Sequence, residues 1–435
     1  MMTLTKKKIS NTLHLSCIQT DQFKTGVLTV TLTLPKTLQT SADLMLLSGI
    51  LRRGTECYPT MALLNRRLDD LYASCVEIRT GKLGRNLSLV FSAEMLDERY
   101  AMDGMSITEG VIEVLSQMIL HPRLQNDAFD PALVKQEIRF TQDALRSEIN
   151  NTRLYAATRL AELMHRNDPE YPTVNLLQER LASIDEKALT AAYQNLLKHA
   201  VWQAFYIGTL PIDSVASLLE KYFLPLPIKA PKALLLPMAE PSLGEYKSSE
   251  KMPVSQGKLS LGFRTGVCAS SDKNDIYAAM MLNELFGASP ASKLFLNVRE
   301  KMSLCYYCSS AYHRFSGILT VNCGIESKNR TLAEEAILAQ LKEIADGKIS
   351  DVEFHAARKS LENSYRQIYD NPFELQAFYG TRELFGISET IEDCRQALLQ
   401  VTADQVVAIA KNVVFDTAFF VEGTLISDRE EEDNE

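Results

Sequence analysis

Long apolar runs, clusters of basic residues and closely spaced histidines are all missing from this 435-residue chain. No stretch approaches the roughly 20 apolar residues that a membrane span requires. The lysines of "MMTLTKKKISNTLHL" are followed by no apolar core of signal-peptide kind, so the cytoplasm is the expected location. A net charge of −9 argues against a nucleic-acid partner, which would call for clustered Lys and Arg to neutralise phosphates. The eight cysteines are scattered, which in a reducing compartment reads as free thiols rather than a disulfide framework. Cys305 and Cys308 make a lone CxxC inside "SLCYYCSS", a stretch that looks like a strand. An odd spacing in a strand sends two side chains to opposite faces, so both are expected to be small packing residues and not metal ligands. The histidines are His14, His121, His165, His199, His313 and His355, and no two can share one helix face.

What is present is repetition. The chain is 46% hydrophobic and 23% charged, ordinary for a globular protein, and long enough for two or three domains. "VLTVTLTLP" and "KLSLGFRTG" both alternate as strands do, and "NLSLVFSAE" resembles "ILTVNCGIE". The same offset of 232 residues separates Asn65 from Asn297, Leu87 from Leu319 and Glu94 from Glu326. The sequence is therefore read as a tandem duplication. Five prolines between Phe223 and Tyr246 block helix and interior strand, which suggests an extended linker. The expected organisation is an N-terminal domain over 1–222, the linker over 223–246, and a C-terminal domain over 247–435 that ends in the acidic "SDREEEDNE", a solvated tail. Each half runs from strands through an apolar helix (Asp43 to Arg53; Asp275 to Phe286) and more strands to long amphipathic helices. That order predicts an α+β fold: two homologous tandem domains, each an antiparallel-rich sheet with helices mainly on one face.

Three features together, the duplicated halves, "RRGTECYPTMALLNRRLDDL" and "ASKLFLNVREKMSLCYYCSS", resemble the pitrilysin/insulinase metallopeptidase family, which includes mitochondrial processing peptidase. The likeness runs through almost the whole chain. In active members a His-x-x-Glu-His helix precedes a Gly-Thr; the two imidazoles and a downstream Glu hold zinc, and the motif's own Glu acts as general base. With Gly54-Thr55 as anchor, the resemblance puts Met45 and Gly49 at the histidine positions and Ser48 at the glutamate. A thioether, a missing side chain and a hydroxyl cannot do that work. The third ligand would come from the helix around Glu137 or Glu148, both read here as solvated glutamates. The chain is thus expected to bind no metal and to be inactive alone. It fits best a branch of small bacterial members without the zinc motif, sometimes labelled as associated with elongation factor P modification.

The second half departs less from the family pattern. Active members carry an Arg and, 7 residues on, a Tyr that hold substrate carbonyls; Arg299 and Tyr306 stand at that spacing. A guanidinium fork and a phenol can converge on a peptide carbonyl and stabilise its oxyanion. By itself an Arg near a helix end is usually a surface charge, and a strand Tyr is usually core. The spacing and the flanking "REKMSLCY" favour the substrate-binding reading. Tyr307 is expected to pack, and Arg67, the first-half counterpart of Arg299, to make a structural ion pair, as does Asp69 or Asp70.

Three functions remain open at this point. The first is a zinc-less subunit of a heterodimeric zinc peptidase acting on short unfolded peptides, with the metal in a sister subunit bearing His-x-x-Glu-His. The second is a scaffold or peptide-binding subunit with no part in catalysis, the reading to which a homodimer would point. The third is a stand-alone hydrolase with an unfamiliar metal site.

Overall fold

The computed structural model describes residues 2–102, 104–227, 229 and 231–425; the acidic segment Ser427 to Glu435 lies outside them. In chain order the elements are β1 (Leu4–Lys8), β2 (Leu13–Gln19), β3 (Thr25–Pro35), α1 (Leu38–Ile50), α2 (Met61–Asp70), β4 (Cys75–Leu83), β5 (Asn86–Leu96), α3 (Ile107–Leu120), α4 (Pro131–Ser147), α5 (Thr152–Met164), α6 (Val174–Ala182), α7 (Glu186–His199), β6 (Val201–Gly208) and α8 (Ile212–Phe223). They continue with β7 (Tyr246–Met252), β8 (Gly257–Arg264), α9 (Lys273–Asn283), β9 (Cys305–His313), β10 (Ile318–Ile325), α10 (Arg330–Ala345), α11 (Asp351–Gln367), α12 (Pro372–Leu384), α13 (Ile391–Leu399), α14 (Ala403–Asn412) and β11 (Val414–Gly423). Among the described residues no helix is long and apolar enough to cross a membrane.

The fold is α+β, with two mixed sheets that are antiparallel except at one pair each. The first has order β1-β2-β6-β3-β5-β4 and the second β7-β11-β8-β10-β9. In the first the parallel pair is β2–β6, in the second β7–β11, so the topology repeats. A duplicated hydrophobic pattern builds the same register twice, because side-chain alternation fixes which face each strand buries.

Two compact units contain these sheets, and each is interrupted in sequence. One comprises the chain up to Leu145 with Pro172–Leu235 and Ile368–Ser388; the other comprises Arg146–Tyr171, Leu236–Gln367 and the chain from Glu389 on. Thus α5 completes the second unit and α12 the first. The physical reason is visible in β3. Leu28, Val30, Leu32 and Leu34 point into the main apolar core, while Thr29, Thr31 and Thr33 form the opposite, equally buried face. That polar face needs partners. Thr33 shares a hydrogen bond with Ser88 of β5 (2.9 Å), and on the same side of the sheet Glu383 of α12 accepts from Ser16 and from Gln203 (3.0 Å) and pairs with Lys6 at 3.6 Å. Asn371, the N-cap of α12, and Pro372 at its first turn start the helix cleanly.

The second unit solves the same problem with α5. Gly262 on β8 leaves room for Met164; a Cβ there would stand 2.3 Å from its sulfur. Arg264 donates to the Met164 carbonyl at 2.5 Å, closing the helix, and pairs with Glu240 (2.7 Å) and with Asp416 (3.4 Å), which is fully buried. His165 Nε2 lies 2.8 Å from the same Glu240 carboxylate. Burial alone would raise the Glu240 pKa, but His165 and Arg264 bring it down to about 2.

Candidate functional site

Helix α1 starts at a capping box between Thr37 and Thr40 and buries Ala42, Leu46, Leu47 and Ile50. Positions 45, 48 and 49 follow the i, i+3, i+4 rule and share the half-buried strip beside that face. Met45 packs against the core, and the Ser48 hydroxyl donates to the Met45 carbonyl at 2.8 Å. Gly49 faces α4. Its missing side chain is replaced in space by Glu137: a Cβ on Gly49 would stand 1.8 Å from Glu137 Oε1. Glu137 is buried, and its Oε2 accepts from Arg53 Nε at 3.1 Å and Nη2 at 2.6 Å.

The expectation of a solvated Glu137 is therefore corrected. The carboxylate turns inward because Arg53, just past the end of α1, offers a guanidinium that partly offsets its desolvation. Glu148 lies in a separate turn, half-buried, within 3.5 Å of the Thr158 hydroxyl. Arg67 pairs with Glu113 at 3.7 Å. Asp69 and Asp70 are exposed and have no ion partner among the described residues, contrary to expectation, because both lie on the outward face of α2.

In the second unit, helix α9 runs into a wide, π-type turn at Glu284–Ala288, and a second such turn spans Leu294–Lys301. Wide turns of this kind often mark functional positions. Arg299 lies on the second. Its guanidinium stacks over Phe295 at 4.6 Å and pairs with Glu300 at 3.6 Å, leaving 39% of the side chain exposed. Tyr306 is the second residue of β9, is 57% exposed, and makes no side-chain hydrogen bond among the described residues. Tyr307 packs: it lies over Gly324 on β10, with Arg153 4.3 Å from its ring.

Strand β9 is irregular where it matters. Tyr307 pairs with Gly324, but Ile325 pairs with Cys305, so Tyr306 is the extra residue of a β-bulge. The bulge overturns the sequence-based reading of Cys305 and Cys308. Strict alternation would separate them, but the extra residue returns Cys305 to the face that Cys308 occupies. Cys323 on β10 sits directly opposite Cys308. The three sulfurs lie within 4.8 Å of one another, buried, and are the one such group of three or more His, Cys, Asp or Glu ligand atoms among the described residues. Hydrogen bonds from the Cys308 and Cys323 thiols, with the charge of Arg299, hold Cys305 down at about 4 against its burial, while the hydrogen bond with Cys305 and burial push the other two thiols up. The signal that could have located this cluster is Cys323 at the matching hairpin position; the bulge itself left no legible mark.

Residues 183–361 match the family described as Peptidase M16 inactive domain. The chain is 29% identical to the "Probable inactive metalloprotease YmfF" of Bacillus subtilis (strain 168), over 94% of this chain and 95% of that protein. A conserved protein from Enterococcus faecalis V583 superposes with a TM-score of 0.88 at 26% identity, covering 98% of this chain and all (100%) of that one. A peptidase M16 inactive domain from Pseudomonas fluorescens superposes with a TM-score of 0.79 at 14% identity over 98% of this chain and 99% of its own, a likeness of fold. Doubled sheets of one topology, in a chain that aligns almost end to end with such a relative and matches the family's inactive domain over residues 183–361, support an inactive, M16 peptidase-like protein.

Proposed function

We propose that this chain is the zinc-less subunit of a heterodimeric zinc metallopeptidase acting on short peptides, and that Arg299 and Tyr306 contact substrate carbonyls. The observation that carries the reading is Tyr306. An aromatic ring that is 57% exposed, on a bulge of an edge strand and with a free hydroxyl, is a poor packing residue and a ready hydrogen-bond donor. Edge strand β9 also offers unpaired backbone groups to which an extended peptide can add. With a peptide there, the phenol and guanidinium supply donors to a carbonyl oxygen that gains charge as water attacks. The zinc and the general base come from the partner in this scheme. The chain's own carboxylate at position 137 is engaged by Arg53. The expected cytoplasmic location belongs to the same reading.

The test has two stages. Affinity purification of the chain from its own cells should recover a relative bearing His-x-x-Glu-His. In that complex, Arg299→Ala or Tyr306→Phe should lower peptide hydrolysis by roughly 100-fold, the effect of losing one oxyanion donor. Unchanged hydrolysis in both variants overturns the proposal. One observation favours a second reading, a scaffold or peptide-binding subunit without catalytic contribution: the Arg299 guanidinium is already engaged by Glu300 and Phe295. Recovery of a homodimer alone would favour that reading.

A further inference from the structure

We infer that Cys305, Cys308 and Cys323 form a three-thiolate site for a soft monovalent metal ion, copper(I). The inference is independent of any peptidase role. Three sulfurs around one ion at about 2.3 Å stand about 4 Å apart in a plane. The three Sγ atoms here already lie within 4.8 Å of one another, so closure onto an ion needs only small side-chain rotations.

The ligand set selects the ion. Thiolates favour soft metals, and zinc sites are almost always four-coordinate. No fourth His, Cys, Asp or Glu atom belongs to this group among the described residues. Water is a poor fourth ligand, because Cys305, Cys308 and Cys323 are only 9%, 4% and 1% exposed. Three sulfurs in a dry, planar arrangement suit a d10 monovalent cation. Each sulfur that is still protonated releases its proton on binding, so metal uptake is accompanied by proton release. Arg299, whose charge acts on Cys305, offsets part of the remaining negative charge.

The duplicated fold supplies a control. In the first unit the matching pair on β4 and β5 is Ile78 and Phe91, and Val76 pairs with Ala93 in unbroken register. There the positions are filled by larger apolar side chains, as a core requires. In the second unit all three are cysteines, and one extra residue has been inserted at Tyr306. Small packing residues would account for the replacement but not for the bulge. Without the bulge, Cys305 would face away from Cys308 and Cys323. Replacement and insertion together bring three sulfurs to one point.

The test uses the full chain with Cys57→Ser and Cys75→Ser, which removes the two exposed thiols. The reduced protein is titrated anaerobically with copper(I) against a chromogenic copper(I) chelator, and the loaded protein is studied by X-ray absorption at the copper edge. One equivalent should bind with three sulfur neighbours, and Cys308→Val or Cys323→Val should weaken binding by about 100-fold or more. If either variant fails to fold, the absorption spectrum of the loaded parent decides alone. The assignment is overturned if no copper is retained against the chelator, if the spectrum shows two sulfurs or any nitrogen or oxygen ligand, if folded variants bind as well as the parent, or if zinc displaces copper at equal concentration.

Discussion

Glu137 occupies the space that any side chain on Gly49 would need, and Arg53 holds it there with two donors. An ion pair and a glycine thus depend on each other across α1 and α4. The dependence makes the sign of one mutation conditional on another.

Gly49→Ala should destabilise the wild-type chain. Alanine favours a helix by up to about 1 kcal/mol, but moving the carboxylate forfeits charge-assisted hydrogen bonds of about 1.5–3 kcal/mol. In a Glu137→Ala background the clash is gone, and the same substitution should stabilise by about 0.5–1 kcal/mol. Urea unfolding of the four proteins of this cycle checks the reversal; equal effects in both backgrounds would show the two residues to be uncoupled.

The purified wild-type chain should carry no stoichiometric zinc by elemental analysis. Met45→His with Gly49→His should still fail to hold zinc, because Arg53 keeps the adjacent Glu137 carboxylate engaged. Adding Arg53→Ala frees Glu137 as a third ligand, and zinc should then bind at one equivalent in an isothermal titration. Zinc uptake by the double variant alone would contradict this account.

Arg264→Ala should cost about 3–5 kcal/mol, since it leaves Asp416 and Glu240 without their shared cation. The network also predicts acid sensitivity. Glu240 has its folded pKa lowered from 4.5 to about 2, so its contribution is complete above pH 4.5 and is lost as pH falls toward 2. Glu240→Gln should flatten the stability profile of the chain in that window, measured by thermal unfolding.

Asp43 predicts the opposite slope. Burial, partly offset by Arg180 and Gln39, raises its pKa from 3.8 to about 6. Between those values the folded chain keeps a proton that the unfolded chain has lost, so this group's contribution falls as pH rises. Above pH 6 the full cost remains, roughly 3 kcal/mol at most. Asp43→Asn should therefore be more stable than wild type at pH 7, and the difference should vanish near pH 3.5.

Tyr306→Phe and Arg299→Ala should each change stability by less than about 0.5 kcal/mol, because Tyr306 is largely at the surface and the ion partner of Arg299, Glu300, is exposed. A drop in melting temperature of several degrees would show that they are structural. Stability unchanged with complex activity lost is the signature of direct contact with substrate.

The alternation of β3 announced a strand, but it presented Thr29, Thr31 and Thr33 as a polar face. In the fold that face is buried beneath α12, whose Glu383 comes from more than 300 residues away in sequence and hydrogen-bonds Ser16 and Gln203. Glu137 looked solvated because a helical glutamate next to Lys135 and Gln136 gives no sign of a partner in α1. The Cys305–Cys308 spacing misled for a related reason: period-2 reasoning holds only while the register is unbroken.

Local pattern alone determined the strands, the capped helices, the repeat at a 232-residue offset and the absence of paired histidines. These are properties of neighbouring residues, set by alternation, turn chemistry and side-chain type. Tertiary structure alone decided that α5 and α12 complete the units they do, that Arg53 turns Glu137 inward, and that a bulge at Tyr306 gathers three sulfurs. Each of these depends on which distant group satisfies a buried charge or an unpaired backbone position, and no short-range pattern encodes that choice.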